Sequence, residues 1–131
     1  MRTLLQMRIL IADDDLMLAT TLADMIERCG HEVSGFARTG VGAIRAYGEQ
    51  RPDVVLMDFS MAKINGANAS RMILSTYPNA KIVMLSGFLS KEDLSLVECG
   101  AVILEPKPLE IDRLKEILEN LNPQAHGFNP S

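Results

Sequence analysis

Hydrophobic positions along the chain fall into two alternating rhythms. Four unbroken apolar runs, "RILIA" (8–12), "DVVLMD" (53–58), "AKIVMLS" (80–86) and "AVILE" (101–105), read as strands covered on both faces, and "HEVSGFA" (31–37) reads as a weaker fifth. Between them the period lengthens to that of a helix. Leu18, Leu22, Met25 and Cys29 recur at helical spacing within "LMLATTLADMIERCG", and Gly30 marks the stop. "GVGAIRAYGEQ" predicts a short helix loosened by glycine, and "ANASRMILSTY" one that Pro78 ends. Ser90 with Asp93 three residues on resembles a capping pair opening a further helix. Ile111, Leu114, Ile117, Leu118 and Leu121 form the stripe of a last one. Five β-then-α units imply a parallel sheet with helices on both faces. The stretch 122–131, with two Asn-Pro steps, reads as a tail or linker.

Composition narrows the picture without redirecting it. A chain of 131 residues, 47% hydrophobic and 23% charged, suits a single domain with one ordinary core. Net charge is −4 with no basic run, which argues against a nucleic-acid partner. No apolar stretch is long enough for a membrane span, and "MRTLLQMR" is too short for a secretory signal. Met7 offers an alternative start. Cys29 and Cys99 lack CxxC spacing, so reduced core thiols in a cytoplasmic protein are expected.

The candidate chemistry gathers at strand ends. In a doubly wound sheet, ligands bind beyond the carboxyl ends of the strands, where the winding reverses. The first run ends in Asp13 and Asp14, the third in Asp58, the fourth in Ser86, and the fifth runs into Lys107. With strand order 2-1-3-4-5, Asp13, Asp14 and Asp58 share one pocket. A solvated acidic turn explains the first cluster alone. It does not explain acid, hydroxyl and amine each at a strand end. Asp15 reads as a helix cap rather than a metal ligand. Met57, Met61, Met72 and Met84 read as core filler, and nothing is assigned to His31 or His126.

These motifs resemble the receiver domain of two-component response regulators. An acidic pair closes the first strand. "DFSMAKING" (58–66) carries a D-x-x-M segment running on to a glycine, "MLSG" ends the fourth strand in a hydroxyl, and "GAVILEPKP" (100–108) sets a K-P pair after Gly-Ala. The resemblance covers residues 8–121 in order and spacing, and implies a flavodoxin-like (βα)5 fold. It implies that Asp58 accepts a phosphoryl group from a sensor histidine kinase or phosphotransfer protein, then switches an output domain or partner. A phosphorylation-linked dimer is a further possible consequence. The chain would catalyse only its own phosphorylation and dephosphorylation. A carboxylate is ionised at neutral pH and attacks phosphorus without a general base. By the resemblance, Asp14, Asp58 and the Ser60 carbonyl bind a divalent cation directly, and Asp13 through water. All-oxygen ligation favours Mg²⁺ or Mn²⁺. Lys107, the Ser86 hydroxyl and the Gly87 backbone would meet the phosphoryl oxygens.

Departures from the family pattern bear on readout. Ala62 stands where proline commonly follows the methionine, and Gly87 where alanine is common. Pro106 precedes Lys107, and Leu104 replaces the usual Tyr or Phe that reports phosphorylation. Leu104 therefore keeps a phosphorylation-independent interaction module in play. A haloacid-dehalogenase-like phosphohydrolase needs a second Asp two residues after its nucleophile, where Ser60 stands. A flavin carrier on this fold needs a phosphate-binding loop after the first strand, and none is present.

Overall fold

The computed structural model describes residues 6–61, 63–87 and 102–122. Strands β1 (Arg8–Ala12), β2 (Glu32–Ala37), β3 (Val54–Asp58), β4 (Ile82–Ser86) and β5 (Val102–Pro106) form one sheet of order β2-β1-β3-β4-β5. Every neighbouring pair is parallel, and the winding reverses between β1 and β3. The described helices are α1 (Leu16–Arg28), α2 (Gly40–Gln50), α3 (Gly66–Thr76) and α4 (Ile111–Leu121). The helix expected to open at Ser90, together with Cys99 and His126, lies outside the described residues. Among the described residues no helix is long and apolar enough to cross a membrane.

Apolar residues pack on both sides of the sheet. Ile9, Ile11, Leu56, Val83 and Leu85 point toward Leu22 and Ile26 of α1 and Leu114, Ile117 and Leu118 of α4. Leu10, Val55, Met57 and Ile82 point toward Ala43, Ala46 and Tyr47 of α2 and Ala69 and Ile73 of α3. Each large side chain buried this way stabilises the fold by about 1.5–3 kcal/mol. Two of the three interior strands, β3 and β4, are buried at every position, as unbroken apolar runs require.

Local chemistry sets the ends of the elements. Asp15 caps α1, its carboxylate accepting the N–H groups of Met17 and Leu18 at 3.0 and 3.3 Å. Thr39 caps α2 and Asn65 caps α3 in the same way. The ammonium of Lys81 donates to the carbonyl of Leu121 at 2.7 Å, placing a cation at the negative end of α4.

Four details depart from the sequence reading. Met72 is 51% exposed rather than core filler, because α3 turns the adjacent Ile73 to the sheet. His31 has a structural contact: its Nδ1 accepts the N–H of Met7 at 3.0 Å. Strand β2 carries an irregularity, with Ile9 opposite Val33 but Leu10 opposite Gly35, which leaves Ser34 unopposed. Strand β5 runs one residue further, to Pro106, which an edge strand tolerates. Cys29 is a free thiol, half-buried at the end of α1, and burial pushes its pKa up.

Candidate functional site

Four chain segments converge at the carboxyl edge of the sheet. Beyond β1, the Asp13 N–H donates to the Ala37 carbonyl at 2.9 Å, continuing the β1–β2 ladder by one rung. Beyond β3, the Phe59 N–H donates to the Leu85 carbonyl at 2.9 Å and prolongs the β3–β4 pairing. Asp13 and Asp58 are therefore fixed by backbone bonds on both sides of the winding reversal. The loop after Asp58 turns through Lys63, at φ +69°, and returns with the Gly66 N–H on the Phe59 carbonyl at 2.7 Å. The N-terminus of α2 seals the flank of that loop: a Cβ on Gly40 would lie 2.6 Å from the Ile64 carbonyl oxygen.

Asp13 and Asp58 are each 4% exposed, whereas Asp14 stands in solvent. One carboxylate oxygen from each of the three lies within 4.8 Å of the others. At that separation two like charges repel by about 3.5 kcal/mol at an effective dielectric of about 20. Among the described residues, one cation offsets this repulsion. Lys107 Nζ lies 2.7 Å from Asp58 Oδ1 and 3.9 Å from Asp13 Oδ2. Asp13 Oδ1 accepts the Asp15 N–H at 2.8 Å, but among the described residues its buried Oδ2 has no hydrogen-bond partner. Burial, first, and the charges of Asp58 and Asp14 raise the Asp13 pKa. The Asp15 N–H and Lys107 pull it down, and the net shift is upward.

Among the described residues, three carboxylates against one ammonium leave the pocket with an excess of negative charge and an orphaned buried oxygen. An all-oxygen donor set of this kind fits a small, hard divalent cation. Asp13, Asp14, Asp58 and Lys107, which the sequence placed at three separate strand ends, stand together in space. Ser86 is buried at the end of β4, level with Pro106, and its carbonyl accepts the Lys107 N–H at 2.9 Å. Ser60 and Gly87 are exposed, on the loop after β3 and just after β4. Among the described residues, a Cβ on Gly87 would meet nothing within 4 Å. Leu104 is half-buried opposite Met84.

One pair escaped the sequence reading. Glu105, at the end of an apolar run, is 8% exposed and accepts the Arg113 Nε–H at 3.0 Å. The signal in the chain was an acid closing an apolar run. No spacing rule joins a strand residue to a position eight residues on, in the following helix.

Comparison with known proteins bears on this arrangement. The profile of the response regulator receiver domain matches residues 9–119. The chain is 34% identical over 116 residues to the chemotaxis protein CheY of Thermotoga maritima, covering 88% of this chain and 97% of that one. It is 35% identical over 105 residues to a protein-glutamate methylesterase/protein-glutamine glutaminase of Hahella chejuensis, covering 78% of this chain but only 30% of that protein. The crystal structure of the response regulator domain of Thermotoga maritima CheB superimposes with a TM-score of 0.77 at 29% identity. That match covers 95% of this chain and 99% of the other.

Proposed function

The chain belongs to the response regulator receiver domain family, and on that premise we propose that it is a phosphoacceptor whose Asp58 takes a phosphoryl group from a sensor histidine kinase or phosphotransfer protein. The observation that carries this reading is the buried Asp58 carboxylate, paired at 2.7 Å with Lys107 and grouped with two further acids. We place the protein in the cytoplasm. Its output runs through a separate partner or through a domain joined to it.

The chemistry follows from the groups at hand. An Asp58 oxygen forms a bond to phosphorus as the phosphorus–nitrogen bond of the donor's phosphohistidine breaks. The departing imidazole keeps the bonding electron pair. Such a transfer is mostly positioning and neutralisation of charge on three equatorial oxygens. The Lys107 ammonium neutralises one of them, and the Ser86 hydroxyl with the Gly87 N–H donates to another. Asp13, Asp14, Asp58 and the Ser60 carbonyl would hold Mg²⁺ or Mn²⁺, which supplies positive charge against the carboxylates and the anionic phosphoryl group. The product is the modified protein itself, so the chain is not a turnover enzyme.

Leu104 has neither ring nor hydroxyl, which favours a second reading in which the phosphoryl group is accepted but weakly reported toward α4. The primary reading is tested with Mg²⁺ and acetyl phosphate. Intact-mass spectrometry should show one phosphoryl group, labile at alkaline pH, on the wild type and none on Asp58→Asn. Equal labelling of both would overturn it.

A further inference from the structure

We infer that Arg113, acting through Glu105, is a positioning residue for Lys107. The inference rests on the phosphoacceptor reading for its consequence, but its geometry stands on observed contacts. Along β5, Glu105 faces the same side of the sheet as its register partner Leu85, which packs in the cluster under α1 and α4. An acid placed there is costly unless it is paired. Arg113 of α4 supplies the partner, with Nε–H at 3.0 Å and an Nη2–H on the same Glu105 Oε1, while its Nη1 reaches Glu116. The Arg113 side chain is 43% exposed and that of Glu105 10%, so the contact is sheltered from one side only.

The consequence lies two residues further on. Strand β5 is the edge of the sheet, and Pro106 has no N–H to give to a neighbour. Between Glu105 and the lysine, the strand end is tied to β4 by the Lys107 N–H on the Ser86 carbonyl at 2.9 Å. The Glu105–Arg113 pair ties the same strand end to α4 from the other side. Together these two restraints set the point from which the Lys107 side chain starts toward Asp58. A guanidinium with two N–H groups on one carboxylate oxygen fixes direction as well as distance, which a single ammonium does not.

The test compares wild type, Arg113→Gln and Arg113→Lys. One measurement is the rate of phosphorylation by acetyl phosphate with Mg²⁺. The other is the ¹H–¹⁵N signal of the Lys107 ammonium without donor, assigned by its loss in Lys107→Arg. Arg113→Gln should slow phosphorylation about 10-fold, the scale of a small displacement of a reacting group. It should also shift or broaden the Lys107 signal, and Arg113→Lys should recover part of both effects. An unchanged Lys107 signal in Arg113→Gln overturns the inference, even if the melting temperature falls, because the pair is then only a structural tie. Equal losses in Arg113→Lys and Arg113→Gln overturn it too. A wild type that takes no phosphoryl group removes the phosphoacceptor reading instead, and the Lys107 signal alone then decides the role of Arg113.

Discussion

A Cβ at Gly66 would stand 2.2 Å from the carbonyl oxygen of Asp58. The first turn of α3 is thus pressed against the backbone of the phosphoacceptor candidate, and only a residue without a side chain permits that approach. The glycine that closes "DFSMAKING" is there for contact, since its own φ is not in the left-handed region.

Gly66→Ala should therefore destabilise the fold by about 2–3 kcal/mol, as overpacking against fixed backbone does. It should also displace Asp58 from Lys107. Urea denaturation read alongside the phosphorylation rate checks both, and full stability in the variant would show that the loop gives way without cost.

Asp13 should make stability depend on pH and, on the metal-binding reading, on divalent cations. Its native pKa lies above the ordinary value of 3.8, chiefly because it is buried. Between those two values the folded state holds more protons than the unfolded state, so stability falls as pH rises through the window. Above the window the penalty is constant. Asp13→Asn should thus be more stable than wild type at pH 7, and the difference should shrink as pH falls toward 3.8. Added Mg²⁺ should narrow the gap at pH 7 by stabilising wild type more than the variant. Thermal melts across pH, with and without Mg²⁺, measure this.

The register at the end of β1 separates two adjacent acids. The Asp15 carboxylate is spent on capping α1, whereas an Asp14 oxygen lies within reach of Asp13 and Asp58. Asp14→Ala should weaken Mg²⁺ binding about 10-fold or more. Asp15→Ala should leave binding nearly intact and cost about 1 kcal/mol of stability through the lost cap. Calorimetric titration of both variants would expose a reversed order.

If Asp58 is phosphorylated as proposed, Leu104 bears on how far the change is felt. A hydrogen bond from Ser86 to a charged phosphoryl oxygen is worth about 1.5–3 kcal/mol, and that gain is local to the end of β4. A ring at position 104 would add packing of about 0.5–1.5 kcal/mol to any inward state. Beryllofluoride, an acyl-phosphate mimic, should therefore shift backbone NMR signals around Ser86 strongly and those of α4 weakly in wild type. Leu104→Tyr should enlarge the response in α4. Equal, large shifts in both proteins would assign the switch to another route.

Much of the site was legible in the linear chain because a parallel sheet places every strand's carboxyl end on the same edge. Once "RILIA", "DVVLMD" and "AKIVMLS" are recognised as strands, Asp13, Asp14, Asp58 and Ser86 must gather there, and Lys107 follows the last strand to the same edge. The layering was legible because the apolar runs are short and rich in Val and Ile, as buried strands are, while the segments between them carry helical stripes. Face and register are different, because they depend on which neighbour is packed alongside. Met72, Ile73 and Leu74 are consecutive apolar residues, and only the position of α3 over the sheet buries Ile73 and leaves Met72 outside. His31 meets Met7 because β2 returns beside β1, and Glu105 finds Arg113 because α4 packs back across β5. Those pairings join positions that no local pattern links, so the packing of helix against sheet decided them.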